Sequence, residues 1–168
     1  MKIFISIALL ILVSGCATGP KYSQSMEQLN VNTESESQLV FFRTSESKMF
    51  LLRNAPIHIE GKERFALSLG EFSAYNTGST RFSLRTYNWD AIGQCKLDLN
   101  LSSKGVYYFE VAPITDNFFS YMLESTTALV TPGIEITHDS VECKGMFGIR
   151  PVSRDYALPK LKNLKYAQ

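Results

Sequence analysis

The stretch from Cys95 to Leu101 alternates without a break: Cys95, Leu97, Leu99 and Leu101 share one side, and Lys96, Asp98 and Asn100 the other. Thr80 to Tyr87 repeats the pattern, with Phe82 and Leu84 set against Arg81, Ser83 and Arg85. A period of two places successive side chains on opposite faces of a pleated strand. Each stretch is therefore a half-buried strand, and the chain must build a sheet that packs one face and leaves the other wet. This pattern excludes an all-helical fold.

Further strands follow from the same reasoning. Leu39 to Thr44 is a continuous apolar run rich in β formers, and Lys48 to Leu52 is expected as a second strand. Pro56 marks an edge or a strand start, Ile57 and Ile59 alternate with His58 and Glu60, and Gly61-Lys62 signals a turn. Phe65, Leu67 and Leu69 continue with period two to Gly70. Phe72 and Tyr75 come next, then a turn at Asn76-Thr77-Gly78. Ser102 to Gly105 is a hairpin-like turn leading into Val106 to Val111, which ends at Pro113. Asp116 to Ser125 reads as a short helix or an irregular crossing, and Pro132-Gly133 as a turn. Ile134 and Ile136 belong to one strand and Val141 to Cys143 to another. Leu158, Leu161 and Leu164 allow a turn or two of helix. Short strands with turns about every ten residues predict a mostly β chain, a single antiparallel β-sandwich, with a barrel as the alternative.

The N-terminus is of another kind. Lys2 is its only charge, and Ile3 to Val13 is apolar except for Ser6. That run of about eleven residues is too short to span a bilayer, which needs roughly twenty, but it has the length of a signal-peptide core. It ends at Val13-Ser14-Gly15-Cys16. An aliphatic residue, two small residues and a cysteine resemble the lipobox of bacterial lipoproteins. The resemblance implies cleavage between Gly15 and Cys16 and a diacylglycerol on the Cys16 thiol. Two or three acyl chains, at about 0.8 kcal/mol per buried methylene, give stable attachment. Residue 17 is Ala rather than the Asp that such lipoproteins use for inner-membrane retention, which points to the periplasmic side of an outer membrane.

The expected layout is a signal peptide over 1–15, a lipidated N-terminus and flexible tether over 16–37, a sandwich over 38–152 and a basic tail over 153–168. The tether is polar and, as a coil of about twenty residues, would reach roughly 25 Å. The formal charge is +1, and without Lys2 the acidic and basic residues balance. Lys144, Arg150, Arg154, Lys160, Lys162 and Lys165 oppose only Asp155 at the C-terminal end. A globally basic nucleic-acid binder is excluded; the basic end suits anionic lipid or a protein partner.

Of the three cysteines, Cys16 is assigned to lipid. Cys95 and Cys143 are left as a pair in an oxidising compartment and are expected to form a disulfide. Two separate buried thiols are the alternative.

Three segments then resemble a family of small bacterial envelope lipoproteins of unknown function. They are Leu67 to Phe72 (Leu-Ser-Leu-Gly-Glu-Phe), Asn76 to Phe82 (Asn-Thr-Gly-Ser-Thr-Arg-Phe) and Lys104 to Phe109 (Lys-Gly-Val-Tyr-Tyr-Phe). The resemblance implies an immunoglobulin- or transthyretin-like sandwich and brings no catalytic residues.

No nucleophile-elbow, P-loop, dinucleotide-binding or zincin motif occurs in the sequence. The two histidines are His58, on the polar face of its strand and expected in solvent, and His138, whose neighbour Asp139 would point to the opposite face. Tyr107, Phe109 and Val111 share one strand face as core, while Tyr108 and the pair Phe118 and Phe119 are candidates for an aromatic patch. Arg81, Arg85 and Lys96 lie on polar faces of strands expected to be solvated. The sequence thus predicts no enzyme, no metal and no cofactor. It predicts a lipid-anchored binding, accessory or structural module with the membrane and an envelope protein as partners; the alternative is a binder of a small molecule or glycan.

Overall fold

The computed structural model describes residues 19–28, 35–46, 49–115 and 133–167. The signal peptide, Cys16, Lys48, Phe118, Phe119 and the segment Asp116 to Ser125 lie outside the described residues. A helix α1 (Tyr22–Gln28) precedes seven strands: β1 (Ser37–Arg43), β2 (Ala55–Ile59), β3 (Lys62–Leu67), β4 (Glu71–Thr77), β5 (Arg81–Thr86), β6 (Cys95–Leu101) and β7 (Val106–Pro113). β8 (Ile134–Cys143), β9 (Phe147–Val152), helix α2 (Arg154–Leu161) and β10 (Lys165–Tyr166) complete the order.

Two five-stranded sheets result, β10-β4-β1-β7-β9 and β3-β2-β5-β6-β8. Pairing is antiparallel except for β1 with β7 and β10 with β4. The fold is a β-sandwich, not a barrel. β1 pairs with β4 and β7, whereas the first two strands of an immunoglobulin sheet pair with each other.

The patterning of the strands explains how the layers stack. Leu39 and Phe41 point between the sheets, where Phe41 stacks on Phe109 with ring centroids 5.0 Å apart. Val40 and Phe42 point the other way and are equally buried, beneath Tyr22, Ala157, Leu161 and Leu164. The first sheet is thus covered on both faces, which is why β1 is an unbroken apolar run. β5 and β6 keep strict alternation because the outer face of the second sheet is left to solvent. At about 1.5–3 kcal/mol for each large apolar side chain fully buried, these layers supply the main drive to fold.

Several sequence expectations need correction. Residues 49–52 form turns, not a strand. Phe50 has φ 55°, and the buried Arg43 guanidinium draws the backbone carbonyls of Met49, Phe50 and Arg53 inward, away from any ladder. Ser102 to Gly105 is not a hairpin turn, because it carries the chain from β6 in one sheet to β7 in the other. Ile134 to Cys143 is one strand with a register shift, not two.

The C-terminal segment is not a free tail. Ser153 caps α2, its hydroxyl accepting from the Tyr156 amide at 3.3 Å, and β10 adds to the first sheet beside β4. Nor is the whole of 16–37 a tether. Lys21 bridges to Lys165, the Tyr22 ring meets Phe72 edge-on at 5.1 Å, and the Tyr22 amide donates to the Leu164 carbonyl at 3.2 Å. Gly19 lies so close to the Tyr166 carbonyl that no Cβ would fit.

Candidate functional site

Two surfaces qualify as candidate sites, the outer face of the second sheet and one end of the sandwich. On the outer face, β5 and β6 pair so that Arg85 lies opposite Lys96, Ser83 opposite Asp98 and Arg81 opposite Asn100. The three basic residues singled out from the sequence are therefore brought together on one solvated face. Arg81, without Arg85 or Lys96, lines an open groove of about 710 Å³, together with Glu60, Ser83, Asp98, Asn100 and Glu135. Much of its polar chemistry is internally satisfied. The Glu60 carboxylate accepts from the Ser83 amide at 2.8 Å, Asn100 donates to Glu135 at 3.2 Å, and Lys96 pairs with Asp98 at 2.7 Å. The Asp98 carboxyl is held below its ordinary value: burial opposes this, but hydrogen bonds from Lys96 and Ser83 and the charges of Lys96 and Arg85 outweigh it.

His58 departs from its expected exposure. It is buried, stacked on the Tyr87 ring at 4.4 Å, with Nε2 3.7 Å from Glu63. Pairing of β2 with β5 places it against Arg85, so the neighbouring strand and Tyr87 cover it. Burial lowers its pKa from the ordinary 6.5, and the Glu63 charge offsets only part of this. A depressed folded pKa means that stability is fully present above about pH 6.5 and is lost as pH falls through the folded value. A urea-midpoint series from about pH 7.5 to pH 5 should show this loss, and His58→Phe, which keeps the stack, should flatten it. An unchanged slope in that variant would assign the loss to other groups.

Tyr108 is not on an exposed patch. It is buried on the outward face of the first sheet, beneath α1 and α2. His138 and Asp139 fall in β8, and their side chains lie outside the described residues.

At the second location, two loops meet. Residues 44–54 join β1 to β2, and residues 87–94 join β5 to β6. Arg53 pairs with Asp90, and Asn88 donates to the Asn54 carbonyl at 3.1 Å. Arg43, buried at the end of β1, sits 4.5 Å from the centre of the Phe147 ring and fastens the first loop from below. Gly93, with φ 92°, packs directly on the Lys144 carbonyl, so only glycine fits there. The Lys144 amide donates to Gln94 at 2.8 Å. Residues 49–54 and 88–94 are thus held by these contacts, yet they turn Leu52, Trp89 and Ile92 into solvent at 93%, 91% and 100% exposure. Sequence reading missed this cluster because its members lie on different loops and form no periodic pattern.

Cys95 and Cys143 are bonded. They are direct partners in the β6–β8 ladder, both buried, against Ala112 of β7 in the opposite sheet and Ile114 just beyond it. The bond staples two neighbouring strands at the same end of the sandwich as the two loops.

Among the described residues no helix is long and apolar enough to cross a membrane, and no three His, Cys, Asp or Glu side chains gather as a metal site. No family model, curated protein or solved structure matches the chain. The three motifs quoted from the sequence are Leu67 to Phe72, Asn76 to Phe82 and Lys104 to Phe109. They fall at the β3–β4 turn, at the approach to β5 and at the start of β7, all positions that shape the sandwich.

Proposed function

We propose that this chain is a non-enzymatic, lipid-anchored bacterial envelope lipoprotein, cleaved between Gly15 and Cys16 and held by lipid on the Cys16 thiol. The sandwich acts as a binding, accessory or structural module on the periplasmic side of an outer membrane. The observation that carries this reading is Val13-Ser14-Gly15-Cys16 directly behind a short apolar run with a single basic residue before it. A docked N-terminus supports it, since α1 and the bridge at Lys21 lead the chain onto the edge of the sandwich. A small-molecule or glycan ligand on the outer face of the second sheet is less favoured, because several groove groups already satisfy one another.

Cys16→Ala should abolish incorporation of labelled fatty acid and move the protein out of the membrane fraction. Retention of the Cys16→Ala protein on membranes after a high-salt wash would show that something other than lipid anchors it.

A further inference from the structure

We infer that residues 49–54 and 88–94, at one end of the sandwich, form a docking surface for a second copy of this chain, with Leu52, Trp89 and Ile92 at its centre. The inference goes beyond the proposed function and stands without the lipid. Loop tips in water are usually polar, but here Leu52, Trp89 and Ile92 are almost fully exposed, and Met49, Leu51 and Tyr87 about half exposed. Arg53 pairs with Asp90, and Asn88 donates to the Asn54 carbonyl, so the two segments sit side by side. Contiguous exposed apolar side chains mark an interaction surface. This one is set before a partner arrives. Arg43 takes the carbonyls of Met49, Phe50 and Arg53, Phe50 turns inward onto Phe147 at 5.6 Å, and Gly93 packs on the Lys144 carbonyl. A fixed surface loses little loop freedom on docking.

The area fits one subunit's share of a dimer. Together the six exposed side chains offer on the order of 500 Å² of apolar surface. An interface of ordinary size takes about 800 Å² from each partner, and in homodimers roughly 65% of it is apolar, again about 500 Å².

Charge selects a like partner. The only charged residues in 49–54 and 88–94 are Arg53 and Asp90, and they neutralise each other. A two-fold contact sets one surface against itself, so a patch with net charge would meet its own sign; these segments carry none. The same neutrality gives an anionic lipid surface nothing to attract. The direction of the N-terminus agrees. Lys21 bridges antiparallel to Lys165, and Gly19 lies against Tyr166. β10 itself runs parallel to β4, away from the loop end at Glu71. From Lys21 toward Gly19 the chain therefore leads away from the two loops, so an anchor at Cys16 does not set them in the bilayer.

Trp89 is the chain's single tryptophan and reports directly. Protein extracted from its own envelope is reconstituted into vesicles at falling protein-to-lipid ratio. If N-terminal mass spectrometry finds no lipid, the same protein is diluted in buffer instead, so failure of the anchor reading leaves this test standing. Trp89 emission should lie to the blue at high density and move to the red on dilution. Leu52→Asp with Ile92→Asp, both at almost fully exposed positions, should keep the wild-type urea midpoint and lose the density dependence. Wild-type emission that does not change with density overturns the inference. A photoreactive probe at Leu51 in intact cells identifies the neighbour independently of that variant. The expected product joins two differently tagged copies through residues 49–54 or 88–94. No crosslink, or one only to lipid or to a different protein, overturns docking of a second copy.

Discussion

Replacing Cys95 or Cys143 with Ala should lower the unfolding free energy by a few kcal/mol, with about 4 kcal/mol expected from the chain-entropy model for a loop of this length. The bond joins residues 48 apart, so reduction releases a long loop in the unfolded chain. Both sulfurs lie in a buried cluster with Ala112 and Ile114, so a small cavity adds to the loss. Because the bond acts as a unit, the double variant should be no less stable than either single one. Urea midpoints of the three variants test this. Alkylation of denatured, unreduced protein tests the bond itself, and free thiols at both positions would remove the basis of the prediction.

An effect of the same size is expected at Glu110. It faces outward from β7 beneath α2 and lies opposite Arg150 of β9. One carboxylate oxygen accepts from Arg150 Nε at 2.9 Å and from the Tyr156 hydroxyl at 2.9 Å, and Arg150 Nη2 donates to that hydroxyl as well. The Arg150 pKa is raised: burial opposes this, but the Glu110 charge and hydrogen bond prevail. The Tyr156 hydroxyl is pushed up by burial first and by the Glu110 charge second. The cluster bolts α2 to the sheet. Glu110→Leu deprives a largely buried guanidinium of its carboxylate and should cost about 3–5 kcal/mol. Adding Arg150→Met should recover most of that loss, since an apolar pair of similar volume is close to neutral in such a site. Denaturation of the single and double variants gives the coupling; a double variant as unstable as Glu110→Leu alone would mean that packing, not the ion pair, holds α2.

These two sites differ in how they can be read. Cys95 stands in phase with Leu97, Leu99 and Leu101, so local alternation alone places its sulfur inward, and a second cysteine in an oxidising setting supplies the partner. Glu110 and Arg150 lie 40 residues apart, with nothing local to join them, and Arg150 read as one more charge in a basic tail. Only the β7–β9 pairing and the helix above it turn the two into a buried unit.

The same division runs through the whole chain. Period-two patterning in β5 and β6, the unbroken run in β1 and the turn residues at Gly61 and Gly70 determined a mostly β sandwich, because those signals reside in neighbouring residues and in which face each side chain takes. Residues 13–16 led, in the same local way, to the lipid-anchor reading. Tertiary structure alone decided that Ser102 to Gly105 crosses between sheets, that His58 is covered by Tyr87 and a neighbouring strand, and that both terminal segments dock on the first sheet. It also brought Leu52, Trp89 and Ile92 to one end of the molecule. Those outcomes depend on contacts between residues far apart in the chain, where strand order, not local propensity, determines what each side chain meets.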